Sequence, residues 1–163
     1  MILRVLTLVG GLAGAATTSQ FPEFSQQYMQ RLGGAVDALG EVVADFDASA
    51  QAAGLSRETA LEQLQGTAFL DRRRLDMTAT FTRFERLKGD MAALEGQGPF
   101  MRAYNLPRLT DSQIARATWK IYQPAVPLNF AGIIFAVFGF LIGGAILGAV
   151  LKVIGWPLRR LAG

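Results

Sequence analysis

Apolar and polar positions along the chain fall into three blocks. Ile2 to Thr18 is apolar with a single charge, Arg4. Leu128 to Leu151, "LNFAGIIFAVFGFLIGGAILGAVL", runs 24 residues with no charge and one amide, Asn129. Between them lies a polar stretch with its own rhythm. Phe24, Tyr28, Leu32, Val36, Leu39, Val43, Phe46 and Ala50 recur at steps of three or four, which is one face of a helix and not the alternation of a strand. Gly54 ends that helix. "LSRETALEQL" starts another, with Ser56 as its cap and Glu58 placed to favour the positive end of the helix dipole. Gly66 marks a further break, with Thr67 as a cap.

A third stripe predicts a helix over 68–95. Leu70, Met77, Phe84 and Met91 recur every seven residues, with Leu87, Leu94 and Phe81 widening the face, a heptad-like pattern. Gly96, Gly98 and Pro99 stop it. "LTDSQIARATWKIYQP" predicts a short fourth helix, with Thr110 and Gln113 as a capping box and Asp111 in the first turn. No run reads as a strand.

The two apolar blocks point to a bilayer. At about 1.5 Å rise per residue the C-terminal run reaches about 36 Å, against a hydrocarbon core of about 30 Å. Pro127 and Asn129 suit its start, and Lys152, Trp156, Arg159 and Arg160 suit an interfacial end. The N-terminal run reaches only about 25 Å, the short limit for spanning. Its "GLAGAATTSQ" offers Ala13 and Ala15 as the small residues of a signal-peptide cleavage site. Against cleavage, the segment before the apolar run holds only Met1 and Arg4, and Phe21, Phe24 and Tyr28 continue a helical pattern. We therefore expect an uncleaved membrane helix that ends near Thr17–Gln20, with Pro22 bending or restarting the chain and Ser19 capping the restart. The expected fold is an all-α membrane protein: transmembrane helix 1 at 1–19, an extramembrane helical hairpin domain at 20–125, transmembrane helix 2 at 126–156 and a tail at 157–163.

Charge sets the orientation. Residues 20–125 hold all 13 acids and 12 of the 16 bases, and Arg4, Lys152, Arg159 and Arg160 supply the rest. The formal net charge of +3 thus comes from the ends, around a middle of net −1. Bases flanking membrane helices favour the cytoplasmic side, so both termini are expected in the cytoplasm and the middle in the periplasm of a bacterial inner membrane. A near-neutral middle lacks the basic stripe of a nucleic-acid binder. Residues 20–55 carry net −4 and residues 56–125 net +3, so an acidic helix is expected to pack against a basic one. Such exposed pairs set register; the apolar stripes hold the hairpin together.

Chemistry is sparse. The chain has no cysteine and no histidine, which removes thiolate chemistry, the usual zinc sets and the commonest general acid–base. No charge lies midway along either apolar block, where ion and proton pathways place one, and no glycine-rich segment has the context of a phosphate loop. We expect no catalytic residue, no cofactor and no metal. The candidate interface is made of small residues four apart: Gly10 and Gly14 in the first apolar helix, Gly139 and Gly143, then Gly144 and Gly148, in the second. Small faces let helix backbones approach closely, either within the chain or against a neighbour. Arg72, Arg73 and Arg74 form a basic run that is either a solvated face or a contact for an acidic partner or anionic lipid. Trp119 and Tyr122 read as interfacial anchors, Trp119 equally as domain core. Asn129 reads as a helix cap.

"SQFPEFSQQYMQRLGGAVDAL" (19–39), "LTDSQIARA" (109–117) and "QPAVPLNFAG" (123–132), with the two terminal apolar helices, resemble a family of small bacterial inner-membrane proteins known only as a domain of unknown function. The resemblance covers nearly the whole chain. It implies the membrane topology and carries over no functional residue. The function expected is a non-catalytic accessory or scaffold subunit of a larger inner-membrane assembly, its partners being other membrane subunits and lipid. The alternative is a self-assembling homo-oligomer that organises membrane, with further copies of itself as partners.

Overall fold

The computed structural model describes residues 2–109, 111–124 and 128–161, with side chains for 3–109, 111–124 and 128–154. In chain order these form α1 (Ile2–Thr18), α2 (Phe21–Ala52), α3 (Arg57–Gln63), α4 (Ala68–Leu94), α5 (Pro99–Tyr104), a 3-10 turn (Leu106–Arg108), α6 (Ser112–Ile121) and α7 (Phe130–Leu161). Every regular element among the described residues is helical, as the periodicity predicts. The chain divides into two units, one of residues 1–26, 98–104 and 119–163, the other of 27–97 and 105–118.

The first unit is built on an antiparallel pair, α1 against α7. Thr18 faces Phe135 and Gly139, Gly14 faces Gly139 and Gly143, and Gly10 faces Gly143 and Leu147. The Thr18 hydroxyl contacts the Phe135 carbonyl at 2.6 Å and that of Gly14 at 2.9 Å. The single hydroxyl proton is therefore placed to serve α1 and α7 alike. Ser19 does not cap α2: its hydroxyl donates back to the Ala16 carbonyl at 3.0 Å. The Gln20 carbonyl instead accepts the Phe24 N–H and closes the first turn of α2. Pro22 lies in that first turn, where its missing N–H costs nothing.

α7 opens as the sequence implies. The Asn129 side-chain oxygen accepts the Gly132 N–H at 2.7 Å, and its carbonyl accepts that of Ile133; this is a helix cap. Pro127 lies outside the described residues. α7 then stays helical to Leu161, so most of the expected tail continues the helix. α7 is the one helix among the described residues long and apolar enough to cross a membrane, over Phe130–Ile154. α1, at 17 residues, is not: at about 1.5 Å per residue it stops about 5 Å short of a 30 Å core.

Aromatic rings gather in the same unit. Phe135 stacks with Phe100 of α5 (centroids 5.4 Å, 6° between planes) and also meets Phe21 at 5.4 Å. Phe24 meets Trp119 and Tyr122 edge-on, and the Tyr122 hydroxyl donates to Gln20 Oε1 at 2.8 Å. Trp119 is 70 % exposed, so it is not a core residue. α5 has no counterpart among the expected helices, where Pro99 serves only as a stop; here Pro99 also opens a new helix.

In the second unit α2 and α4 run antiparallel through large side chains. Tyr28, Met29 and Leu32 pack with Leu87, Leu94 and Ile114 of α6, while Val43 packs with Met77 and Phe81 further along. The two predicted stripes are the ones that meet. The expected caps hold: Ser56 accepts the Thr59 N–H, Thr67 accepts the Leu70 N–H, and Gly54, Gly66 and Gly96 take positive φ at helix ends. The acidic α2 does lie against α4, but the ion pairs expected to set their register are absent among the described residues. Asp47 of α2 pairs with Arg57 of α3, and none of Asp37, Glu41, Asp45 and Asp47 pairs with a base of α4 among the described residues. Arg83 and Arg86 of α4 meet another acid, described next.

Candidate interaction surfaces

The glycines predicted as an interface are spent within the chain. A β-carbon on Gly139 would fall on the Thr18 hydroxyl and the Gly14 carbonyl, and one on Gly14 on the Gly139 carbonyl. A β-carbon on Gly143 would fall on the Gly10 carbonyl, and one on Gly10 would lie 2.8 Å from Leu147 Cβ. Gly11, four residues from both Thr7 and Ala15, is as tight, 2.7 Å from the Phe140 ring. Gly144 and Gly148 face Thr7 more loosely, their β-carbon positions 3.6 and 3.7 Å from its atoms. Glycine spacing thus marks where α1 and α7 touch backbone to backbone. Small residues let the two backbones approach this closely.

Large apolar side chains then point away from the pair. Leu3, Val5, Leu8 and Leu12 of α1 and Ile133, Val137, Phe138, Leu141, Ile142 and Ile146 of α7 are all exposed. An exposed apolar surface of this extent marks contact with lipid or another protein.

The second unit contains a charged hub that sequence reading missed. Asp111 is buried, 5 % exposed, yet its carboxylate meets Arg86 at 2.9 Å and Arg83 at 3.3 Å. It also accepts the Gln113 and Ile114 N–H groups at 3.1 and 3.0 Å. Asp111 is therefore the N-cap of α6, a position earlier than the first-turn place expected for it, and Thr110 lies outside the described residues. The Asp111 N–H donates to the Tyr28 hydroxyl at 3.2 Å. Burial pushes the Asp111 carboxyl up, but the Ile114 N–H, the Arg86 hydrogen bond and the two arginine charges outweigh it and hold the group below its ordinary value. Burial pushes the Tyr28 phenol up, aided by the nearby Asp111 and Asp90 charges, so it stays neutral and accepts. A second buried acid, Asp90, is met by Arg108 at 3.3 Å. A signal for the hub was present: "TD" ahead of an apolar-patterned helix allows either residue to cap.

The basic run on α4 forms no such hub. Arg72 pairs with Asp76 one turn on, at 3.1 Å, with Arg72 and Arg73 exposed and Arg74 partly so. Among the described residues no group of acids and other ligands could hold a metal ion.

Taken together, these features define an all-α protein with a glycine-closed helical pair, one member of which can cross a membrane, and a separate polar helical unit. The chain belongs to the family described as protein of unknown function (DUF2937), whose profile matches residues 2–160. No curated protein and no solved structure matches it.

Proposed function

We propose that the protein is a non-catalytic accessory or scaffold subunit of a larger inner-membrane assembly. The α1–α7 pair sits in the bilayer, both termini are cytoplasmic and the polar unit is periplasmic. The observation that carries this reading is the apolar outer face of the pair. Almost none of Phe130–Ile154 is buried, whereas the core helix of a water-soluble protein hides its apolar stripe. α1 reaches its partner's length by snorkelling of Arg4 or local thinning of the bilayer. Because the glycines are used between α1 and α7, another membrane subunit meets the outer face, at residues such as Phe138, Leu141 and Ile142. The charged helices beyond give a second surface for an extramembrane partner.

Two measurements test this. Single cysteines at Asp45 and Arg160 should label from opposite faces of sealed vesicles; equal labelling from one face removes the topology. Purification from native membranes in mild detergent should bring down unrelated subunits, and the double variant Phe138→Ala, Leu141→Ala should change that profile. A single repeating mass in native lipid discs would instead support self-assembly, and an unaltered profile would remove the outer face as the docking surface.

A further inference from the structure

A cleft in the second unit has the chemistry of an oxyanion site. It is a cavity of about 410 Å³ between α2, α4 and α6, with Arg31, Arg83 and Gln113 among its lining groups and Gly34, Ala35 and Ala117 on its walls. The small residues leave the space open, and no acid lines it among the described residues. A neighbouring cavity of about 350 Å³ shares Arg83 and Gln113 and adds Arg86, Ser112 and the Asp111 carboxylate. Arg83 and Arg86 thus meet one carboxylate, and Arg83 also lines the cleft that Arg31 enters from α2. Asp111 serves Arg83 and Arg86, and Arg31 has no ion-pair partner among the described residues.

Arg83 is the under-used group. Its one hydrogen bond to Asp111 is long, 3.3 Å, and its buried Nε meets no acceptor among the described residues. A guanidinium carries five donors, and a buried donor left unpaired costs about 1–3 kcal/mol. Neither burial of the apolar stripes nor the α6 cap requires Arg83 and Arg31 to share a cleft, because Arg86 already supplies the closer bond to Asp111. We propose that this cleft binds a phosphate-bearing anion, with Arg31 and Arg83 as the charged contacts and the Gln113 side-chain amide as a further donor. Paired arginines favour a multiply charged, many-acceptor oxyanion over a single carboxylate. The openness of the cleft suits a phosphate carried on a larger molecule, either a soluble phosphomonoester or a lipid headgroup. The site does not depend on the accessory-subunit reading, since every group in it belongs to the second unit.

The test uses the whole chain in lipid discs and follows its thermal unfolding. In discs of zwitterionic lipid, inorganic phosphate should raise the unfolding temperature saturably, while chloride at equal ionic strength should not. If inorganic phosphate is silent and discs containing phosphatidylglycerol give the rise, the source is the headgroup. In either case Arg31→Gln should weaken the response about tenfold or more. It should leave the ligand-free unfolding temperature unchanged, because Arg31 forms no ion pair there. Absence of a response to both phosphate and phosphatidylglycerol, or a full response in Arg31→Gln, overturns the proposal.

Discussion

The backbone N–H of Asp111 donates to the hydroxyl of Tyr28, 83 positions away in sequence, at 3.2 Å. Tyr28 is wholly buried, so this bond ties the start of α6 to the core face of α2. Everything Asp111 does then follows from being held there: it caps α6, pairs with two arginines and stays charged while buried.

Asp111→Ala removes the α6 cap and leaves Arg83 and Arg86 without their carboxylate. The expected cost is about 2–4 kcal/mol. Asp111→Asn keeps an acceptor for the Gln113 and Ile114 N–H groups and should cost about half as much. Chemical denaturation of both variants separates the cap from the charge; equal losses would mean that the charge alone matters.

Acid should unfold the second unit through the same group. The Asp111 carboxyl lies below its ordinary value, and so does that of Asp47 beside Arg57. A depressed carboxyl stabilises the fold fully above its unfolded value, about 4, and the contribution is lost as pH falls through the lower folded value. Unfolding temperature should be level between pH 7 and 5 and fall below about pH 4. In Asp111→Asn the fall should be shallower; an unchanged slope would assign it to other acids.

Gly139→Ala should open the α1–α7 pair. Its β-carbon falls on the Thr18 hydroxyl and the Gly14 backbone, and overpacking of this kind costs about 1–3 kcal/mol. Gly89→Ala on α4 meets nothing within 4 Å and should stabilise its helix by up to about 1 kcal/mol. Unfolding of the two variants in detergent should therefore shift in opposite directions, and a shared direction would contradict the packing described.

Leu87→Ala should cost about 3 kcal/mol, since Leu87 is wholly buried between the α2 and α6 side chains of its cluster. Replacing Arg72, Arg73 and Arg74 together by glutamine should change stability by less than about 1 kcal/mol. A larger loss on denaturation would show that the basic run has an internal partner beyond Asp76.

Local chemistry made the helices legible. The stripes through Tyr28 and Leu32 and through Met77, Phe81 and Leu87 are written at helical spacing, and Ser56, Thr67, Asn129 and Gly54 act within a few residues of themselves. Such signals need no tertiary contact. α5 escaped because six residues are too few to show a period, and because a proline ends one helix as readily as it begins another. The glycine spacings were visible, but spacing is the same whether the neighbouring backbone belongs to the chain or to a stranger; only the approach of Gly14 to Gly139 decides for the chain. Net charge suggested that α2 and α4 pair through opposite signs, yet ion pairs form by reach and geometry. Arg83 and Arg86 found Asp111, and Asp47 found Arg57. Sequence alone thus determined the long helices and the apolar segments, because propensity, capping and periodicity are short-range. The tertiary structure decided which faces touch and which charges meet, because Tyr28, Arg83 and Asp111 become neighbours only after the chain has folded back on itself.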